Sequence, residues 1–598
     1  MNKYEDLLSI VDKLRQEAPK NYKRYYPEVG EIEIVENARA RSFIHLFLKV
    51  KFGLIEFADR ENYITDDTSD GGIDAYYIDQ EGKILYFIQS KFRNSDSNFE
   101  NKEITFEELL SMDIKRIVQG EDCYENGTKY NDKILNFIKR LQLISDLPNY
   151  KYEIVLLANV KQELQAKLNK ITGGYPVDIY NFERVYSELV FPLISGSFYN
   201  VKELKITINV DRNSAGHRIQ YYPITRYAEC TVNALFVPTI EIARILYKYK
   251  NSILKFNPRS YLDLVTGSVN DKIAKSITEL NTNEFALFNN GITMLSDNTV
   301  YSDNVAKKNK AEVLITNPQI INGGQTAYTL SILYEKFLKN DTLQLFDNKE
   351  VLLKIISFNL EENNSPKTEI DKLKLIEEIS IATNQQSTVT EADRRANDKV
   401  QIELQNKIYS DFGLFYERKR GEFGDGIRSG YIDRSKIIDR EHFLRICLAA
   451  QNNPVTARAG SINAFFEKDS FDSVLPTSDN FRKYIFTLKA FEKISKHAPN
   501  DSNARNLGRY SITCVVANRY DPALAIEKYD EVTDNIVSDV VNKWFAFEET
   551  IRQENENKKY YFKEIFDKES GDRIIETNWT AYYKGRTLLR DLKQYFQF

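Results

Sequence analysis

Along the first two hundred residues, apolar and polar positions follow two different periods, and the switches between them set out the elements. Apolar side chains recurring three and four apart predict helices over Glu33–Val50, Asn131–Ile144, Lys161–Ile171 and Phe182–Leu189. Short apolar runs predict strands over Ile73–Ile78, Ile84–Phe92, Tyr152–Leu157 and Val177–Tyr180. That order implies an α/β layer fold. From about Val201 to Asp439, strands over Leu204–Val210, Glu312–Ile315 and Val351–Ile356 alternate with helical runs over Asn322–Lys339 and Ile370–Ile381. Beyond them the pattern is mainly helical. The expected fold class is α/β and multidomain: an α/β domain over 1–200, an α+β domain over 201–440 and a mainly helical region over 441–598.

Composition narrows the class. A chain of 598 residues exceeds what one hydrophobic core organises. With 42% apolar and 28% charged residues, and no run of eighteen apolar residues, it is neither disordered nor expected to span a membrane. The first twenty residues mix acidic and basic side chains through a helical pattern, unlike a signal peptide, so the expected location is the cytoplasm. Cys123, Cys230, Cys447 and Cys514 are scattered, which argues against a zinc site or a disulfide framework. A net charge of −5 means that any contact with nucleic acid is local.

The stretch richest in chemistry is Asp70-Gly-Gly-Ile-Asp74, a turn at Asp79-Gln-Glu-Gly82, and Lys-Ile-Leu-Tyr-Phe-Ile-Gln89-Ser-Lys91. It reads as a β-hairpin. With the turn centred between Gln80 and Glu81, Asp74 falls opposite Phe87, and side chains two apart share a face, so Asp74, Gln89 and Lys91 point the same way. A two- or four-residue loop keeps that arrangement and a three-residue loop reverses it. Polar side chains meeting at the end of an apolar strand are costly without partners, and a hard cation with a phosphate supplies them. Asp74 offers a carboxylate oxygen, Gln89 an amide oxygen and Ser90 its main-chain carbonyl, while Lys91 can orient water and offset charge developing on a phosphate. Upstream, Glu36 shares a helical stripe with Ala40, Phe43, Phe47 and Val50, which makes it a candidate second metal contact beside Asp74. A plainer reading makes Asp70–Asp74 a turn, Gln89 and Lys91 edge-strand residues, and Glu36 a helix-start carboxylate. His45, on the same predicted helix, reads as a packed side chain.

These residues resemble the PD-(D/E)xK nuclease superfamily, and the pairing of Gly-Gly-Ile-Asp74 with Ile-Gln89-Ser-Lys91 resembles its Mrr-type restriction enzymes, in which glutamine replaces the second acidic residue. The resemblance implies a restriction-endonuclease-like core of helix, three strands, helix and strand over Glu33–Leu157. It also implies cleavage of DNA dependent on Mg²⁺ or Mn²⁺.

Further along, Asn257-Pro-Arg-Ser-Tyr-Leu262, Phe288-Asn-Asn-Gly-Ile-Thr293, Asn317-Pro-Gln-Ile-Ile-Asn-Gly-Gly-Gln-Thr326, Ala382-Thr-Asn-Gln-Gln386 and Phe415-Tyr-Glu-Arg-Lys-Arg-Gly421 follow one another. Together they resemble the abortive-infection phage-resistance (AIPR) family over roughly Asn257–Arg440, which implies defence against phage. The glycines after Asn289 and Asn290, and between Asn322 and Gln325, let main-chain N–H groups approach a ligand; equally, the asparagines can satisfy neighbouring backbone. Arg418, Lys419 and Arg420 add a candidate phosphate contact. Two readings follow. In one, the N-terminal domain cuts DNA and the large domain recognises a target or a phage-derived or nucleotide trigger; a duplex cut needs two active sites or two events, and a homodimer would supply the first. In the other, a degenerate nuclease fold serves a nucleic-acid or nucleotide sensor.

Overall fold

The computed structural model describes all residues except 1–2, 28–31, 106–111, 162–167, 169–171, 173, 211–217, 227–228, 258–268, 281, 359–373, 377, 380–381, 383–390, 468–473, 475–480, 554–560 and 567–572. The chain forms two units, one of residues 1–383 with 420–434, the other of residues 384–419 with 435–598.

The first unit opens with α1 (Lys3–Gln16) and α2 (Ile32–Phe52). A four-stranded sheet follows, in the order β1 (Ala75–Asp79), β2 (Ile84–Ser90), β3 (Lys151–Leu157) and β4 (Val177–Ile179). The first two strands are an antiparallel hairpin, and β2, β3 and β4 run parallel. Among the described residues between α2 and the helix Asp132–Gln142 there are two strands rather than three, because residues 65–74 form a loop and upstream pairing reduces to one bridge, Ile64 to Ala75. One sheet face carries Tyr76, Phe87, Ile154 and Leu156 against Ile134, Phe137 and Leu141, with Tyr76 and Phe137 stacked at 3.8 Å between ring centroids. The other face receives α2, where Phe52 stacks on Tyr77 at 4.0 Å.

Enclosed in this way, α2 is buried continuously from Arg41 to Val50, so its polar side chains must find partners inside. Arg41, His45 and Lys49 do so in one network. Arg41 donates to the Tyr25 hydroxyl and to Glu61, each at 2.8 Å, and Tyr25 donates to Glu61 at 2.5 Å. Arg60 donates to His45 Nδ1 at 3.1 Å and pairs with Glu17, which also takes Lys49 at 2.8 Å. Since a guanidinium can only donate, His45 Nδ1 accepts and the ring holds its proton on Nε2, facing Tyr25 and Glu61. Burial lowers the His45 pKa to about 4, so the ring is a packed, neutral member of the network.

The rest of the first unit holds two further sheets. Its strands are β5 (Glu203–Asn209), β6 (Ile219–Tyr221), β7 (Cys230–Pro238), β8 (Ile292–Ser296), β9 (Asn298–Ser302), β10 (Lys310–Thr316), β11 (Gln319–Asn322) and β12 (Glu350–Phe358). They form sheets ordered β5-β10-β9 and β11-β8-β12-β7-β6, sharing a core with the helices Thr239–Tyr249 and Gly324–Asn340. The expected helices over 161–171 and 370–381 fall largely outside the described residues, as do 258–262 and 383–386 of the motif segments. The second unit is mainly helical; Lys399–Phe412, Arg440–Ala450, Phe481–His497, Arg509–Ala517 and Tyr529–Asn542 enclose a core that includes Phe443, Ile485, Val515 and Val537. Among the described residues no helix is long and apolar enough to cross a membrane.

Candidate metal centre

The loop Thr65-Asp-Asp-Thr-Ser-Asp-Gly-Gly-Ile-Asp74 folds back on itself because its glycines permit it. Gly71 and Gly72 sit at φ +69° and +72°, and a Cβ on Gly71 would lie 2.9 Å from Ile117. The main-chain N–H groups of Thr65 and Asp66 both bond the Asp74 carbonyl at 2.9 Å. Neighbouring elements pin the loop from two sides. Asn131, which caps the helix Asp132–Gln142, donates from its side chain to the Thr65 carbonyl at 3.1 Å, and Arg41 donates to the Asp66 carbonyl at 2.7 Å.

The consequence is a convergence of Asp66, Asp70 and Asp74, one carboxylate oxygen of each lying within 4.8 Å of the others. Among the described residues these three form a group able to share one ion. Asp70 and Asp74 are buried and Asp66 half-buried. Burial raises the Asp74 pKa to about 7; the Ser90 N–H, 2.6 Å from its Oδ2, opposes the shift, and the charges of Asp66 and Asp70 add to it. Burial likewise raises Asp70 to about 6, against the Gly72 N–H bonded to it at 2.9 Å. Lys91, half-exposed just beyond β2, contributes the positive charge acting on both carboxylates.

The hairpin closes through the four-residue loop Gln80–Lys83, pairing Asp79 with Ile84 and Ala75 with Ile88. Continued one step, this register sets Asp74 opposite Gln89, not Phe87; the shift is two residues and leaves the face unchanged. Gln89 is buried and donates from Nε2 to the Gly72 carbonyl at 2.9 Å, tying β2 to the glycine turn. Asp74, Gln89, Ser90 and Lys91 are therefore brought together. Glu36 is not part of this group: it lies half-exposed in the second turn of α2, where its charge acts on Tyr4 and Arg39. The reason is topological, since Asp74 shares the sheet face of Tyr76 while α2 packs on the face of Tyr77. The carboxylates beside Asp74 are instead Asp66 and Asp70, whose sequence signal, three aspartates around a glycine pair, reads equally well as a turn.

Chemically, three carboxylates gathered at a buried strand end suit a hard cation with oxygen ligands. Raised carboxylate pKa values fit that assignment, because a bound cation replaces protons that the metal-free site retains near neutrality.

In the central sheets, the turns at Asn289–Gly291 and Asn322–Thr326 meet: Asn289 donates to the Thr326 hydroxyl at 3.0 Å, and a Cβ on Gly323 would lie 2.7 Å from the Gly291 carbonyl oxygen. Their asparagine oxygens accept from local backbone, Asn289 from Gly291 N–H at 3.0 Å and Asn322 from Gly323 N–H at 2.7 Å. Asn290 is exposed and Gln325 half-buried. Arg418 and Lys419 belong to the second unit and Arg420 to the first. Arg418 donates to the Gln405 side chain at 2.8 Å and to the Ala396 carbonyl at 3.0 Å, Lys419 is buried, and Arg420 is exposed.

The AIPR protein family matches residues 254–587, more than half of the chain, extending from the central sheets through the helical unit. The chain belongs to the AIPR family, whose setting is abortive-infection defence against phage. No curated protein and no solved structure matches it.

Proposed function

We propose that within this defence the chain acts as a divalent-metal-dependent nuclease that hydrolyses DNA phosphodiester bonds. The observation supporting this reading is the meeting of Asp66, Asp70 and Asp74 at the end of β2 beside Lys91. Asp74 and Asp70 would hold the metal, with Asp66 at the half-exposed rim and Gln89 and the Ser90 carbonyl as neutral oxygen donors. Mg²⁺ or Mn²⁺, when bound, offsets phosphate charge and lowers the pKa of a bound water. Lys91 orients the attacking water and stabilises negative charge developing on the phosphate oxygens. Ser90 N–H, bonded to Asp74 Oδ2, fixes the direction of that carboxylate. The remainder of the chain recognises the target or the signal that licenses cutting.

Because cutting waits on a signal in this reading, the test measures metal binding together with cleavage. Purified protein is titrated with Mn²⁺ by calorimetry, and incubated with plasmid and single-stranded DNA in Mg²⁺, Mn²⁺ or EDTA. Expected are binding that Asp74→Asn removes, and metal-dependent cleavage lost in both Asp74→Asn and Lys91→Ala. Mn²⁺ binding unchanged in Asp74→Asn, or cleavage that survives both substitutions, overturns the assignment.

A further inference from the structure

A second concentration of uncompensated charge lies in the helical unit and has the opposite sign. The helix Arg440–Ala450 presents His442 and Arg445, three apart and so on one face. Arg505 lies in the short helix Asn503–Asn506, and Arg509 begins the nine-residue helix Arg509–Ala517. Phe491 joins two of them: the His442 ring centroid lies 4.8 Å from its own, that of Tyr510 5.1 Å, and the Arg509 guanidinium carbon sits 4.1 Å over its ring, while the Arg445 guanidinium carbon lies 5.6 Å from the centroid of Phe465; the charge of Arg445 acts on His442 and Tyr510, and that of Arg505 on Arg509.

The partners of these cations are rings and carbonyls. Arg445 donates to the carbonyls of Ala457 at 2.6 Å and Gly460 at 3.2 Å, and Arg505 to that of Ser495 at 3.2 Å. Arg509 reaches the Phe491 carbonyl at 3.5 Å, and its Nε is buried with no hydrogen-bond partner. Among the described residues no carboxylate forms an ion pair with Arg445, Arg505 or Arg509. Other cations of the same unit are paired: Arg440 with Asp393, Lys489 with Asp530, Arg519 with Asp539. Asp439 is the acidic group acting on His442, and its Oδ1 caps the helix by accepting from His442 N–H. Burial first, then the neighbouring arginines, hold His442 below its ordinary range and lower Arg509 as well.

Carbonyls and rings orient a guanidinium without cancelling its charge, so holding three together costs free energy that an anion would relieve. We propose that His442, Arg445, Arg505 and Arg509 form a phosphate-binding site in the helical unit. The fork of N–H donors on arginine matches the oxygens of a phosphate, and the uncapped start of the helix Arg509–Ala517 adds main-chain N–H groups. The phosphate belongs either to a nucleic-acid strand or to a small phosphate compound. This site does not depend on the metal centre.

The test uses full-length protein in EDTA. A labelled single-stranded oligonucleotide is titrated by anisotropy over a range of salt, and inorganic phosphate is followed by its effect on Tm. The variants are Arg445→Gln/Arg509→Gln and, as the milder change, Arg505→Gln; Arg519→Gln is the paired control. For a strand, the double variant should bind about tenfold or more weakly and reduce the log–log salt slope by about 1.4, at roughly 0.7 per lost contact; Arg505→Gln should reduce it by about 0.7. For a small phosphate compound, the phosphate-induced rise in Tm should vanish in the variants while oligonucleotide binding is unchanged. Either pattern supports the site and identifies the source. A parent protein indifferent to both probes, or responses equal in parent and variants, overturns it.

Discussion

Arg41 stands between two clusters of charged side chains that the fold pairs in different ways. On one side, Arg41, Arg60 and Lys49 face Glu17 and Glu61, with Tyr25 and neutral His45 completing the hydrogen bonds. Each cation there has a carboxylate partner, Arg41 and Lys133 on Glu61, Arg60 and Lys49 on Glu17. On the other side, Asp66, Asp70 and Asp74 are gathered with Lys91 as the cation acting on the buried pair. Burial alone therefore does not mark a functional residue. What sets the two clusters apart is that the carboxylates of the first each hold cations at ion-pair distance, while Asp70 and Asp74 are buried beside one another with raised pKa values.

The sharpest way to break this comparison is to unbalance the matched cluster. Arg60→Ala empties a fully buried site and leaves His45 Nδ1 and the Leu54 and Ile55 carbonyls without their donor, and should lower stability by about 2–5 kcal/mol. A calorimetric loss of under about 1 kcal/mol would erase the distinction between the clusters. Next comes acid sensitivity. Above pH 6.5 His45 is neutral in folded and unfolded chains alike and adds no pH dependence. As pH falls from 6.5 towards 4, the unfolded chain takes up a proton that the folded chain refuses, so stability drops by about 3 kcal/mol over that window. His45→Gln should flatten this part of the acid-denaturation curve relative to the parent; an unchanged curve would show that the ring is not held neutral.

Of similar size is Lys91→Ala, expected to lower cleavage on the order of a hundredfold while Tm and Mn²⁺ affinity stay near those of the parent. Loss of fold along with activity would return Lys91 to a structural role. The smallest effect expected is that of Asp70→Asn, which removes one of the crowded charges: metal-free protein at pH 8 should gain a few degrees in Tm, and the additional rise on adding Mg²⁺ should shrink. A fall in Tm would show that Asp70 is matched within the fold after all.

The sequence made the periodic parts of the molecule readable. The strands around Tyr76 and Phe87 and the helix behind them lie within a few residues of their expected limits, because a half-buried strand and an amphipathic helix write their period into the chain. The face shared by Asp74 and Gln89 was legible for the same reason, parity being indifferent to a two-residue change of register. Asp66 and Asp70 were not. Their convergence depends on left-handed glycines and on Asn131 and Arg41 binding the loop from a distance, none of which has a period. Glu36 failed from the opposite cause: its stripe is real, but which sheet face receives α2 is decided by tertiary packing. Arg445, Arg505 and Arg509 lie on three separate helices, so their arrangement has no linear signature.

The bond from Asn131 to Thr65 spans 66 residues. A chain emerging from the ribosome exposes all three aspartates and Lys91 well before it exposes the side chain that closes their loop, and β3, the parallel partner of β2, is made later still. Assembly of the carboxylates is thereby postponed to a point when about a quarter of the polypeptide has been synthesised. A nascent fragment shorter than that lacks the contacts that hold the three carboxylates together.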